Sequence, residues 1–159
     1  TEEAVAEFDT AAKVNPPLRS EQDRQALIEG LKDGTIDCIA TDHAPHTDWE
    51  KDADFDSAPF GISGLETALG VCVTTTVKSG LLSWSQLVEK LSTNPARIAG
   101  LDGRGLIKGS PASLTLVDPD ATWRVEPSQF ASKSKRSPFA GWQLTGSVSK
   151  VIRRGLVVG

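Results

Sequence analysis

Thr35-Ile36-Asp37-Cys38-Ile39-Ala40-Thr41-Asp42-His43-Ala44-Pro45-His46 is the stretch on which the reading of this chain turns. From Thr35 to Asp42 it is short, apolar and β-branched at several positions, which predicts a strand buried on both faces. Side chains alternate along a strand, so Ile36, Cys38, Ala40 and Asp42 share one face, with Asp42 at the carboxyl end. In α/β barrels that end of a strand carries the functional residues. The only two histidines of the chain, His43 and His46, follow at once, and Pro45 bars a helix between them. An Asp so placed can ligate a hard or borderline metal, shuttle a proton, or do both. The plainer reading is a strand-end Asp that caps the next loop beside two surface histidines. Spacing alone leaves both readings standing, and one carboxylate with two histidines does not complete a zinc site.

Upstream, Ser20 and Asp23 form a capping box, Leu27, Ile28 and Leu31 recur at helical spacing, and Gly34 ends that helix. A short helix is expected over Thr1 to Phe8. Pro16 and Pro17 make a stiff extended loop that presents Asn15 and Arg19. Asn15 offers both a donor and an acceptor, which suits a ring amide; an Asn that merely starts a turn is the plainer alternative. Downstream, His43 to Ile62 reads as a long polar loop, the kind that carries function or mobility. Within it Gly61 lets a ligand approach the backbone and Phe60 can wall a pocket, although a Phe is more often core. Trp49 is a candidate lid residue; Trp84, Trp123 and Trp142 read as structural.

Gly64 to Lys78 predicts a buried helix, weakened by Thr74-Thr75-Thr76. Ser83 and Gln86 start another helix, and Asn94-Pro95 a third, with Asn94 as its cap. After the turn cluster Asp102-Gly103-Arg104-Gly105 the pattern becomes strand-like: 113–117, 122–125, 144–152 and 155–158, with Asp118-Pro119-Asp120 as a turn. The expected division is therefore 1–104, helix and strand alternating, and 105–159, all β.

The chain has 159 residues, 38% hydrophobic and 24% charged, which excludes a disordered polypeptide. Its net charge of −4 argues against a nucleic-acid partner; the basic stretch Lys133 to Arg136 reads as a solvated loop. No apolar run is long enough to span a membrane. Cys38 and Cys72 sit in apolar stretches and read as buried free thiols, hence a reducing, cytoplasmic compartment. The opening at Thr1, without a methionine, reads as a piece of something longer.

Taken in order, Lys13-Val14-Asn15-Pro16-Pro17-Leu18-Arg19, Asp33 to Asp37, Ile39 to His46, Ala58-Pro59-Phe60-Gly61, Gly64-Leu65-Glu66-Thr67, Asn94-Pro95-Ala96-Arg97, Leu114 to Asp118 and Ser137 to Trp142 resemble the carboxyl-terminal half of bacterial-type dihydroorotases, zinc enzymes of the amidohydrolase superfamily. The resemblance covers essentially the whole chain. It implies an α/β fold: the carboxyl-terminal part of a (β/α)8 TIM barrel of the amidohydrolase type, followed by strands of a small β-sandwich domain. It also implies Zn2+ as cofactor, with Asp42 as both metal ligand and catalytic acid/base. Asn15, His46, Phe60 and Gly61 are the implied substrate-binding residues, and His43 has a supporting role only.

The implied reaction is the reversible interconversion of dihydroorotate and N-carbamoyl-aspartate in pyrimidine biosynthesis. The resemblance further implies the amino-terminal half of the same enzyme as a partner, and a homodimer or a complex with aspartate carbamoyltransferase. The family's other metal ligands, a His-x-His pair, a bridging carboxylate and two further histidines, have no counterpart in this chain, so it is not a complete active site by itself. Two other readings follow from the same residues: a non-catalytic dihydroorotase-like scaffold, and a related cyclic amidase such as a hydantoinase or allantoinase.

Overall fold

The Ser20 hydroxyl accepts from Asp23 N at 3.2 Å while the Asp23 carboxylate accepts from Ser20 N at 3.2 Å. This reciprocal cap opens helix α1 (Glu21–Asp33), which Gly34 closes in the left-handed region. The computed structural model describes residues 1–101 and 106–158. Before α1, the expected helix over Thr1 to Phe8 is a single tight 3-10 turn, Glu2–Val5.

The strand expected over Thr35 to Asp42 is not formed. The segment carries no ladder among the described residues; only His43 makes an isolated parallel bridge, to Ile62. A strand exists through its neighbours, and here helices take up the first backbone groups. Ile36 N donates to Gly30 O at 2.8 Å and Ile39 N to Lys90 O at 3.0 Å. The Lys90 ammonium donates to Ile36 O, and Asn94 Nδ2 to Asp37 O at 2.9 Å. Burial falls short as well: Ile36, Cys38 and Ile39 are half-buried and Ala40 is exposed.

The loop after His43 contains a short helix, α2 (Asp48–Lys51), whose start is fixed by Glu50 accepting from Thr47 N at 2.8 Å. Helix α3 (Leu65–Cys72) continues into a wide π turn over Val73–Val77. The threonine run explains the widening: Thr75 and Thr76 hydroxyls donate to Val71 O and Cys72 O, competing with the helical ladder. The Ser83–Gln86 capping box forms as expected and opens α4 (Trp84–Val88). A second π turn (Glu89–Thr93) joins α4 to α5 (Asn94–Ile98). Asn94 is therefore inside a continuous rod, and its amide is spent on Asp37 O rather than on a cap.

The β tail is a three-stranded antiparallel sheet in the order β1 (Leu114–Arg124), β2 (Gln143–Arg153), β3 (Leu156–Val158). The expected turn at Asp118-Pro119-Asp120 is an irregularity within β1, where the Asp118 carboxylate accepts from Asp120 N and Ala121 N at 3.0 Å each. The boundary expected at 104/105 and the Gly103-Arg104-Gly105 cluster lie outside the described residues.

Two small cores hold these elements together. Cys72, Val73 and Leu87 are buried between α3 and α4, with Ile39 of the extended segment packed on them. Val125, Phe130 and Leu144 form the second, against Val71 and Trp123. Helix α3 lies close on β2 because Gly70 has no side chain: a Cβ there would stand 3.0 Å from Trp123 and 3.1 Å from Leu144. Both cysteines are free thiols; Cys72 is buried, which pushes its pKa up, whereas Cys38 is only half-buried. No helix among the described residues is long and apolar enough to cross a membrane.

Candidate active site

The turn that follows Asp42 lies against the segment 60–65. Ala44 N donates to Ile62 O at 2.9 Å beside the His43–Ile62 bridge. Gly61 is indispensable to this approach. Its φ is +133°, and a Cβ there would stand 2.6 Å from Ala44 O and 2.8 Å from Ala44 Cβ. Gly64 serves the same contact from the other side, since a Cβ on it would meet Thr41 O at 2.9 Å.

His46 Nε2 lies 2.9 Å from Phe60 O. A carbonyl only accepts, so Nε2 carries the proton in this contact. Nδ1 of the same ring faces the Glu50 carboxylate at 3.8 Å. His43 holds the same tautomer through its other nitrogen: Nδ1 accepts from Gly64 N at 3.1 Å and from Leu65 N at 3.3 Å, so its proton is also on Nε2. Asp42 between these segments is exposed and holds a left-handed backbone, φ +43°. Phe60 is exposed rather than core.

Asn15 is joined to this turn through Lys13, whose carbonyl accepts from Gly61 N at 3.0 Å. Asn15 itself is exposed, and its bond to Pro16 is cis. Arg19 is not part of the cluster; it lies 3.6 Å from Asp23 at the start of α1. Asp37 is salt-bridged to Arg97 at 3.7 Å, as a surface residue. Asp42, His46, Phe60 and Gly61 thus come together on two adjoining segments, with Asn15 anchored to them two residues away.

Two lysines that the sequence reading passed over hold the floor of this cluster. Lys13 and Lys51 are both buried. The Lys13 ammonium donates to Phe55 O, Asp56 O and Ala58 O, and lies 4.5 Å from the centre of the Phe60 ring. The Lys51 ammonium donates to Pro59 O at 2.9 Å and to Lys13 O at 3.3 Å. Burial, and next the charge of Lys13, holds the Lys51 pKa below its ordinary value. A lysine in a polar loop gives no sequence signal for such a role. Lys13, flanked by Ala12 and Val14, gives a faint one.

The β tail reaches the same loop. Glu66 accepts from Ala131 N at 2.8 Å and Ser132 N at 3.0 Å, Asp48 from Lys135 N at 3.3 Å, and Arg136 pairs with Asp52.

No three or more His, Cys, Asp or Glu side chains gather to hold a metal among the described residues. His43 Nδ1 and His46 Nε2 are engaged by backbone groups and His46 Nδ1 faces Glu50 at 3.8 Å; beside them stands the exposed Asp42 carboxylate. It fits as one ligand of a metal site and does not make a site alone.

A profile described as amidohydrolase family matches residues 8–158. The chain belongs to the amidohydrolase family. The chain is 54% identical to the dihydroorotase of Desulforapulum autotrophicum and 51% identical to that of Pelotomaculum thermopropionicum, each over 158 residues. Those alignments cover 99% of the chain and 37% of each relative, so the chain spans little more than a third of their length. Among solved structures, the L-hydantoinase (dihydropyrimidinase) of Arthrobacter aurescens superposes with a TM-score of 0.93 at 36% identity, over 99% of this chain and 36% of that one. A D-hydantoinase (dihydropyrimidinase) from Thermus sp. superposes with a TM-score of 0.85 at 28% identity, over 93% of this chain and 33% of that one. The fold is thus an α/β portion of the amidohydrolase architecture.

Proposed function

We propose that this chain is the carboxyl-terminal portion of a cytoplasmic dihydroorotase, working with barrel residues that it does not itself contain. In this reading 1–104 is barrel and 105–159 belongs to the small β domain. The observation that carries it is the meeting of Asp42, His46, Phe60 and Gly61 on one pair of segments, in a chain about half identical to dihydroorotases along its whole length.

Dihydroorotate is a cyclic amide with a carboxylate. Hydrolysis adds water across the ring C–N bond: the water oxygen joins the carbonyl carbon, that bond breaks, and the nitrogen takes a proton. Asp42 takes the proton from the water and returns it to the nitrogen; the cyclisation of N-carbamoyl-aspartate reverses the two transfers. Asp42 would also be one ligand of a zinc ion whose other donors come from outside the chain. Zinc bound there supplies Lewis acidity at neutral pH. His46 and Asn15 hold the substrate's carboxylate and ring, and the Phe60-Gly61 backbone lines the ring.

The superposition on hydantoinases supports a second reading, a cyclic amidase without the carboxylate requirement. The higher identity to dihydroorotases favours the first. The test is activity of the assembled enzyme on dihydroorotate, hydantoin and dihydrouracil, wild type against Asp42→Asn, with zinc content measured for both. Turnover of dihydroorotate that falls by more than about 10²–10⁴-fold in the variant is expected. Hydantoin as the better substrate would select the second reading. No turnover at all would favour a scaffold, and an active variant with its zinc bound would remove Asp42 from the chemistry.

A further inference from the structure

We propose that His43 is a positioning residue: its imidazole caps helix α3 from a distance, and that cap holds the Asp42 backbone in the conformation that aims the carboxylate. The proposal rests on the reading of Asp42 as the catalytic carboxylate.

Helix α3 begins at a glycine. Its N-cap residue, Gly64, has no side chain to receive the first amides, and the helix has no cap from its own flank. The first N–H groups of a helix need acceptors, ordinarily a neighbouring Ser, Thr, Asp or Asn. Here His43 supplies it from 21 residues away, with one nitrogen accepting from both Gly64 N and Leu65 N. Gly64 has a reason to be glycine, because the Thr41 carbonyl occupies the place of its Cβ at 2.9 Å. The close approach that removes a local cap is the same approach that brings His43 within reach.

The tie spans Asp42. On one side Thr41 O packs on Gly64; on the other His43 bonds to Gly64 and Leu65 and bridges to Ile62. Asp42 between them has φ +43°, in the left-handed region, which Asp tolerates better than most residues with a Cβ and which contacts on both sides hold in place. Among the contacts described on the His43 side, only the ring is a side-chain contact, so it is the part that a substitution can remove without touching the backbone.

The ring acts through the position of Nδ1, and Asn carries its Oδ1 the same number of bonds from Cα. His43→Asn therefore keeps the cap, His43→Gln misplaces the acceptor by one bond, and His43→Ala removes it. In the assembled enzyme, kcat for dihydroorotate should fall on the order of 10²-fold in His43→Ala and His43→Gln, with KM changed little. It should stay within about threefold of wild type in His43→Asn. Hydrogen exchange at the Gly64 and Leu65 amides should quicken in His43→Ala and stay slow in His43→Asn. Gly64→Ala, which displaces Thr41 O and spares the ring, should lower kcat as well and covers the case in which His43→Ala does not fold.

A His43→Asn enzyme as inactive as His43→Ala, with its two amides still protected, would overturn the proposal and give His43 a direct role through Nε2. Full activity in His43→Ala would overturn it too. If instead Asp42→Asn is active, the reading of Asp42 fails, while the exchange pattern at Gly64 and Leu65 still reports whether the cap exists.

Discussion

Gly61→Ala is the sharpest perturbation of this site, because the structure assigns it two separable costs. The first is backbone strain: at φ +133° a residue with a Cβ sits in sparsely populated space, worth about 1–3 kcal/mol. The second is steric. The new methyl would meet Ala44 O at 2.6 Å and Ala44 Cβ at 2.8 Å, neither of which is the free end of a flexible side chain. The segments must part, at a cost of about 1–3 kcal/mol for overpacking. Gly80 provides the control. Its φ is +74° and nothing lies within 4 Å of a Cβ built on it, so Gly80→Ala carries strain alone. Urea unfolding of the assembled enzyme should place Gly61→Ala at about 2–6 kcal/mol below wild type, a large part of a typical ~5–15 kcal/mol stability. Gly80→Ala should show only the strain, about 1–3 kcal/mol. KM for dihydroorotate should rise in Gly61→Ala alone, since parting the segments opens the His46–Phe60 and Gly61–Lys13 hydrogen bonds. Equal destabilisation by the two substitutions would refute the contact between 44 and 61.

His46→Ala should weaken productive binding of dihydroorotate by about 1.5–3 kcal/mol, the scale of a hydrogen bond to a charged group, and Asn15→Ala by about 0.5–1.5 kcal/mol, that of a neutral one, both with zinc content unchanged; zinc lost from His46→Ala would make His46 a metal ligand. Lys51→Met should destabilise the fold by about 1–3 kcal/mol, because it removes the donor to Pro59 O and Lys13 O. The folded state lowers the Lys51 pKa, so it binds this proton less tightly than the unfolded chain; the resulting penalty is full at neutral pH and fades as pH rises through the lowered value towards 10.5, and Lys51→Met should flatten that rise in denaturant titrations. Residues 1–159 produced alone should aggregate or fold loosely and show no amidase activity, given exposed Leu27, Val88, Ile98 and Leu106 and an extended segment without a ladder; a cooperative thermal transition with sharp side-chain NMR signals would contradict that.

What was legible in the sequence is what is encoded locally. The Ser20 and Ser83 boxes and the helix ended by Gly34 follow from residues within a few positions of one another, and they form; the β tail forms as a sheet, with the expected 118–120 turn absorbed into β1. The misreadings have local causes of another kind. Thr75 and Thr76 turn their hydroxyls on the helix's own carbonyls and widen it to a π turn. Asn94 looks like a cap but lies in a continuous rod, because the preceding Glu89–Thr93 turn is itself helical. At the site, a resemblance of motifs singles out Asp42, His46, Phe60 and Gly61, whereas little in the sequence points to what supports their segments. Lys13, Lys51, Glu66 and the His43 cap act across 8 to 66 residues, through backbone carbonyls and amides that any sequence possesses.

The extended segment Thr35 to Asp42 shows why the most informative stretch is also the one whose secondary structure came out differently. Its apolar, β-branched composition suits a strand with neighbours on both sides, and that composition does not depend on whether the neighbours are present. The described helices satisfy only its amino-terminal half, through Gly30 O, Lys90 O, the Lys90 ammonium and the Asn94 amide. From Ala40 onward, order comes instead from the segment 61–65, by way of Gly61, Gly64 and His43. The two halves therefore answer to different forces. The first is set by the hydrophobic packing of Ile39 on the α3–α4 core, and the second by close backbone contact and one distal cap.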